Sequence, residues 1–421
     1  MYLTSVQKIS FNKLFTFLIA IFPLINIYSS GFMPLGDIII SALCLFWLLT
    51  KRKKYDKDIY VSNKNKYMFF IMYVFVTLPL LLITKSSIGW GNVFTKSIHI
   101  LMYTFIALYF VPKIVDFKML KEIVVKVTII SSYIIIIQEL IGTVFNKFTY
   151  LLLPFMKYSY IYSDYSTYID VYTTTAIVQG YRASGFFLEP SHACSYLMIG
   201  FVLLLFDIYK PTNKRYYYII LTILAILCTL STSGIITAGV LVVLYMFINV
   251  KKQKKHESYF KFFLLIAGII GMSMVISSKS SQIVYLISSR IGNIGTMEYA
   301  SSGNIRVLRG LYVWNELPTL THIIGTGNGC LLQDIINARI KVLGDIDFLD
   351  DMNLVFYVLN TFGVLGFIAY FRAILSNIRK SSLTRKMMIF LFMFTGTFYN
   401  CIYHAISVLY LSLIFIDNKK Y

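Results

Sequence analysis

The sequence predicts an all-α, polytopic transmembrane helical bundle of about twelve spans, with two large extracytoplasmic loops carrying short amphipathic helices. Three observations predict it. Hydrophobic residues make up 57% of the chain and charged residues 14%, with a mean hydropathy of +0.71, whereas globular proteins carry about 25% charge. Apolar runs of roughly the 17–25 residues needed to cross a hydrocarbon core recur along the chain. The segments between them alternate between basic and neutral.

In chain order the apolar runs read as spans near 14–30, 34–50, 67–84, 93–111, 119–141, 191–209, 216–231, 234–250, 260–278, 352–374, 387–400 and 404–416. The first follows Lys8 and Lys13 like a signal peptide. A second span follows at once without a small-residue cleavage site, so an uncleaved helix is expected. Residues 216–250 barely suffice for two crossings, but a break at Ser231-Thr-Ser-Gly234 keeps the basic clusters on both sides of the pair on one face of the membrane. Two short helices are therefore expected there.

The formal net charge is +20. Most Lys and Arg residues fall in Lys8/Lys13, 51–66, 113–121, 210–215, 251–261, 372–386 and Lys419/Lys420. With twelve crossings all of these share one side, the positive-inside pattern, with both termini cytoplasmic. The basicity then reports topology, and nucleic-acid binding is not expected. The partner implied by composition is the lipid bilayer. Five cysteines lack paired spacing, so neither a disulfide framework nor a metal site is expected, and no cofactor is implied. The acidic run at 345–351 reads as solvated loop carboxylates, with a divalent-cation site as the alternative.

The non-membrane mass lies in two outer loops, 142–190 and 279–351. Loops that long carry function more often than not. The first holds seven tyrosines, at 158, 160, 162, 165, 168, 172 and 181, expected at the headgroup level, with a sugar-stacking platform as the sharper alternative. In the second, residues 305–316 show helical periodicity, with Arg306 and Arg309 on a stripe beside the apolar one, as in a helix lying on the membrane surface. Residues 331–343 read similarly, with Arg339 beside the apolar stripe. Between them Gly325-Thr-Gly-Asn-Gly329 reads as a turn, with a phosphate nest as the alternative.

The most informative stretch is YRASGFFLEPSH at 181–192. It places Arg182, Glu189 and His192 beside an apolar span, where charged groups must pair, bind ligand or line a wet cavity. Pro190 suits a first helical turn, with Glu189 before it at the positive end of the dipole. The plainer reading is an Arg182–Glu189 ion pair that fixes the loop.

The pattern Arg-x-Ser-Gly-x-x-x-Glu-Pro-Ser-His resembles the signature of Wzy-type polymerases of O-antigen or capsule repeat units, within the O-antigen ligase-like superfamily. Residues 304–310 followed by 324–329 resemble that family's arginine-then-glycine second loop. Asn353 with Phe362-Gly-Val-Leu-Gly366 resembles its Asn…Phe-Gly-x-x-Gly pattern. Two positions depart from it. Leu230–Gly234 lacks the arginine of a Ser-Arg pair, and Asp350-Asp351-Met352-Asn353 stands where many relatives have a histidine before the asparagine.

The resemblance implies glycosyl transfer between undecaprenyl-diphosphate-linked oligosaccharides, on the outer face of a bacterial cytoplasmic (inner) membrane. A chain-length regulator and a flippase are the associated proteins it implies. In that reading Glu189 is the base, His192 its orienting partner or substitute, and Arg182 acts at the reacting centre. Arg306, Arg309 and Arg339 bind diphosphate, and Tyr181 and Asn353 bind substrate. The alternatives are an O-antigen-type ligase and a polysaccharide flippase or transporter. A transporter is expected to show internal repeats and charges at mid-membrane; no repeat is visible, and Glu139 is the main such charge.

Overall fold

A computed structural model describes residues 3–31, 33–50, 59–61, 64–83, 85, 87–145, 147–158, 165–179, 181–207, 214–250, 306, 308–340, 352–376, 378 and 381–418. The expected span at 260–278 and the acidic run at 345–351 lie outside them. In chain order the helices are α1 (Leu3–Ala20), α2 (Phe22–Ile25), α3 (Leu35–Leu49), α4 (Lys64–Ile83), α5 (Trp90–Phe105), α6 (Val111–Ile114), α7 (Phe117–Val144), α8 (Tyr165–Gln179), α9 (Pro190–Phe206), α10 (Lys214–Cys228) and α11 (Thr232–Val250). They continue with α12 (Arg309–Glu316), α13 (Thr319–Ile324), α14 (Leu331–Asn337), α15 (Leu354–Leu375), α16 (Leu383–Gly396) and α17 (Ile406–Phe415). A π-helical turn, Ile106–Phe110, joins α5 to α6.

Among the described residues, four stretches are long and apolar enough to cross a membrane: Lys64–Ile83, Trp90–Ile114, Phe117–Val144 and Leu354–Leu375. Their surfaces are those of membrane helices. On α4, Phe69, Met72, Val76, Leu80 and Ile83 are each at least 61% exposed and recur every three or four residues, an apolar stripe that water would not tolerate. On α7 the usual order is inverted, because Thr128, Ser131, Ser132 and Gln138 are buried while Ile130, Ile137 and Leu140 face outward. Polar groups inside and aliphatic groups outside suit a lipid surround.

Contacts divide the chain into two compact units, each made of two stretches, where the sequence reading treats 1–421 as one domain. The first comprises Met1–Asp56 with Ile114–Val284, the second Lys57–Lys113 with Tyr285–Tyr421.

In the first unit α7 packs against α1, α9 and α10. Asp116 caps α7 by accepting a hydrogen bond from the Met119 amide (3.0 Å). Gly200 lets α9 close on α7, since a Cβ there would lie 2.0 Å from Thr128 Oγ1. Arg215 donates to the carbonyls of Leu204 (2.8 Å) and Leu205 (2.7 Å), so this member of a basic cluster satisfies the C-terminal carbonyls of α9. The expected break near Ser231 is present: α10 ends at Cys228, Leu230 takes a left-handed φ of 49°, and α11 starts at Thr232. The expected span 14–30 is interrupted, because α1 ends at Ala20 and Pro23 opens the short α2.

In the second unit α15 packs against α4, α12 and α13. Two antiparallel strand pairs fix chain neighbours, one in each unit. β1 (Tyr28–Ser29) pairs with β3 (Lys157–Tyr158) in the first, and β2 (Ile59–Val61) with β4 (Ile416–Asn418) in the second.

Candidate functional site

The motif at 181–192 is pinned to the first unit at its backbone. Gly185, at φ 64°, donates its amide to Gln138 Oε1 of α7 (2.8 Å). Gln138 Nε2 in turn donates to the Thr149 carbonyl (3.2 Å). Tyr168 of α8 donates its hydroxyl to the Leu188 carbonyl (2.7 Å), and Phe187 N donates to Ser184 O (3.1 Å). Arg182 Nε donates to the Thr229 carbonyl at the strained α10–α11 turn (3.2 Å). Below that turn Gly234 is obligatory, since a Cβ would lie 1.9 Å from Cys194 Sγ.

Around this fixed backbone Ala183, Phe187 and Leu188 are buried, while Arg182, Glu189 and His192 remain half-buried. Glu189 holds the extended conformation that precedes a helix, with Pro190 in the first turn of α9. Its carboxylate therefore stands at the positive end of the helix dipole. It accepts a hydrogen bond from Ser191 Oγ (3.0 Å). His192, three residues on, shares its helix face.

Tyr160 and Tyr162 and the side chain of Tyr165 lie outside the described residues; of the other four tyrosines, Tyr158, Tyr168 and Tyr181 are buried, and they form neither a headgroup belt nor an open platform. Tyr158 and Tyr168 are 4% and 0% exposed and join Ile27, Leu152 and Leu188 in a core, with Tyr28, Tyr150 and Tyr172 against it. Tyr168 stacks on Tyr172 at 4.4 Å. Tyr181 is buried, its ring stacked on Phe148 (5.1 Å) and closed against Gly142, and its hydroxyl donates to Thr149 O (2.8 Å). Burial pushes that hydroxyl up to about 12, so it stays a donor. Tyr181 therefore serves to hold Arg182 in place. Aromatic packing wins here because the loop has its own small core to fill.

In the second unit the structure brings Arg306, Arg309 and Asn353 together. Asn353 caps α15, its Oδ1 accepting from the Phe356 amide (2.9 Å). Its own amide (2.9 Å) and Nδ2 (3.1 Å) both donate to the Arg306 carbonyl, so its polar atoms have structural work. Arg309 corrects the expectation of a surface stripe, for it is wholly buried. Gly310 allows the first turn of α12 onto α15, where a Cβ would meet Phe356 Cβ at 2.2 Å. Asn360 Nδ2 seals the contact on Gly310 O (2.9 Å).

Arg339 is exposed and lies beyond α14, which stops at Asn337. Arg339, at φ 52°, donates its amide to Ile336 O (3.2 Å), and Ile340 N donates to Ile335 O (3.0 Å). That is a Schellman ending with arginine where glycine is usual.

The glycine turn 325–329 has three of its five amides committed. Gly325 N donates to Thr321 O (2.7 Å), Thr326 N to Asn360 O (2.9 Å) and Gly327 N to Thr361 O (2.9 Å). The carbonyls of Asn360 and Thr361 are free to accept because α15 breaks at Gly363 (φ 65°, ψ −177°). The turn is therefore a docking piece for a broken helix, and the phosphate-nest alternative loses most of its donors. Tyr73 Oη closes the remainder, lying 2.9 Å from Phe362 O and 3.2 Å from Ile324 O.

Sequence reasoning passed over Gln138 and Thr229. Only Gln138 carried a signal, as an amide inside an apolar run. Among the described residues no three His, Cys, Asp or Glu side chains gather as metal ligands would. Compared with known protein families and with curated proteins, the sequence matches none. Fold and site together define a helical membrane protein with a preorganised polar segment beside an apolar helix.

Proposed function

We propose that this chain is a membrane glycosyltransferase that joins undecaprenyl-diphosphate-linked oligosaccharide repeat units into a surface polysaccharide. The observation that carries the reading is the backbone pinning of 181–192, which leaves Arg182, Glu189 and His192 half-exposed beside apolar helices. Catalysis favours polar groups held before substrate arrives. The likeness of this segment to the Wzy signature supplies the reaction class.

In this reading an acceptor sugar hydroxyl gives its proton to Glu189 while its oxygen attacks the anomeric carbon of the donor. The new glycosidic bond forms as the bond from that carbon to the carrier diphosphate breaks. The lipid diphosphate leaves with the electron pair. Arg182, its Nε anchored, turns its terminal nitrogens to the leaving group's charge. His192 orients Glu189. Arg306 and Arg339, which belong to the second unit, are the further arginines proposed to bind lipid diphosphate. Arg309, withdrawn from solvent, anchors α12.

The proposal includes twelve spans, both termini in the cytoplasm and this chemistry on the outer face. The two strand pairs support that parity, since each joins segments that the positive-inside pattern assigns to the same side. The test uses purified protein with lipid-linked repeat units and no nucleotide sugar. A ladder of longer glycans is expected, abolished by Glu189→Gln and by Arg182→Ala in protein that still inserts. An unchanged ladder in both variants sinks the assignment.

A transporter is the second reading, favoured by the break in α15 within a candidate span. The carbonyls freed there are already taken by the glycine turn and Tyr73, which favours a sealed joint over an ion path. Transbilayer movement of labelled carrier without elongation is the outcome that would select it.

A further inference from the structure

Lys96 sits within about two turns of the start of the candidate span Trp90–Ile114. An ammonium group there is costly unless it is enclosed by polar or aromatic partners, and such residues are kept where they act on a ligand. The second unit encloses it. Lys96 Nζ donates to Tyr357 Oη (3.2 Å) and lies 5.4 Å from the ring centroids of both Tyr357 and Tyr403. Those rings stand edge to face at 5.8 Å, so two aromatic walls flank one cation. Behind them Tyr403 Oη donates to Asn328 Oδ1, and Asn328 Nδ2 donates to Ser97 Oγ (3.0 Å). The cation is fixed by three separate segments.

The segments that supply the partners around Lys96 also carry buried polar atoms with no hydrogen-bond partner. Asn360 and Thr361 lie three and four residues after Tyr357, on its face of α15. Thr326 is tied to them by its amide on the Asn360 carbonyl. Thr326, Asn360 and Thr361 are each 0% exposed, and Thr326 Oγ1, Asn360 Oδ1 and Thr361 Oγ1 have no hydrogen-bond partner. Buried orphans of this kind mark a missing ligand or water. They include two hydroxyls able to donate and one carbonyl oxygen able to accept, on the segments that also carry Tyr357 and Asn328. The complementary group is an anion that also carries hydroxyls. Along the same helix Trp90 and Phe94 are 63% and 68% exposed, an apolar surface for a tail.

We propose that Lys96, with Tyr357, Tyr403, Thr326, Asn360 and Thr361, binds the phosphate ester and hydroxylated headgroup of a membrane lipid. Two lipids share that chemistry, a glycosylated polyprenyl diphosphate and phosphatidylglycerol. The choice of the first rests on the polymerase reading; the site itself does not.

The test measures binding to the full chain in phosphatidylcholine nanodiscs, using two probes: phosphatidylglycerol and a short-chain polyprenyl-diphosphate-linked monosaccharide. Lys96→Gln is expected to weaken binding by at least about tenfold, and Lys96→Arg to retain most of it. Lys96-dependent binding of the monosaccharide lipid makes the site a substrate subsite. Lys96-dependent binding of phosphatidylglycerol alone makes it a structural-lipid site. Binding of neither probe, or equal binding by wild type and Lys96→Gln, overturns the proposal. Thr361→Val, which removes one orphan hydroxyl at nearly constant shape, decides the matter if Lys96→Gln does not fold. Several-fold weaker binding is expected, and unchanged binding overturns it. A wild-type protein that binds through Lys96 yet makes no glycan ladder would refute the polymerase and leave this site standing.

Discussion

Tyr168 donates its hydroxyl hydrogen to the carbonyl oxygen of Leu188, 2.7 Å away, in the residue that precedes Glu189. Both residues are 0% exposed. A loop helix is thereby tied to the backbone that presents the candidate base. Tyr168→Phe keeps the ring packing and strips that carbonyl of this donor. The expected cost is about 1–3 kcal/mol of stability, read as a lower melting temperature in detergent. The rate of elongation should fall further than stability alone predicts, because Glu189 loses its fixed backbone. An unaltered melting temperature would show that the bond contributes nothing.

The glycine turn and the α15 break form one joint. A Cβ on Gly325 would meet Thr361 O at 2.2 Å, and the residue has φ 85°. A Cβ on Gly327, at φ 96°, would meet only side-chain ends, the tightest being Leu81 Cδ1 at 3.1 Å, with Leu78 Cδ1 at 3.5 Å and Cys330 Sγ at 3.6 Å. Gly325→Ala should therefore prevent folding, seen as loss of the monodisperse peak in size-exclusion chromatography. Gly327→Ala should fold with a smaller loss, the cost being chiefly that of a left-handed alanine, about 1–2 kcal/mol. Equal behaviour of the two variants would contradict this account of the joint.

Arg339 occupies the left-handed position that closes α14. Arg339→Gly removes a steric cost of about 1 kcal/mol and should raise the melting temperature. If Arg339 also holds lipid diphosphate, the same variant should raise KM for lipid-linked substrate. Opposite movements of stability and substrate affinity would separate the two roles of one residue.

Burial pushes the Cys330 thiol up to about 11, with Asp334 also raising it and Lys85 opposing. The folded state thus binds this proton more tightly than the unfolded state, whose thiol titrates near 9. Stability from this site should be complete below pH 9 and lost as pH rises through about 11. Melting temperatures across that window, compared with those of Cys330→Ala, isolate the contribution. In the native membrane at pH 8, Cys330 should resist maleimide.

Tyr60 faces Asp417 in the β2–β4 register. Cysteines placed at both positions should crosslink under mild oxidation, and in the proposed topology each should react only with reagents that reach the cytoplasm. Labelling of the pair from outside would reverse the chain's orientation and remove the outer-face chemistry from the segment at 181–192.

The membrane character, helix content and most helix positions are written in local sequence, because the length and apolarity of a run decide whether it suits hydrocarbon. The Ser231–Gly234 break and the helix start at Pro190 were legible for the same reason, as local backbone preferences. Packing decided the rest. Arg309 reads as a surface residue until Gly310 brings its turn onto Phe356. Asn353 reads as a ligand residue until its side chain is spent on a helix cap and on Arg306. The tyrosines read as an interface belt until Tyr168 and Tyr172 stack around Leu188. Lys96, unremarkable in an apolar run, acquires meaning only between two rings supplied by residues far along the chain. Composition and period are properties of neighbours in sequence, whereas burial and partnership belong to neighbours in space, which only the tertiary fold brings together.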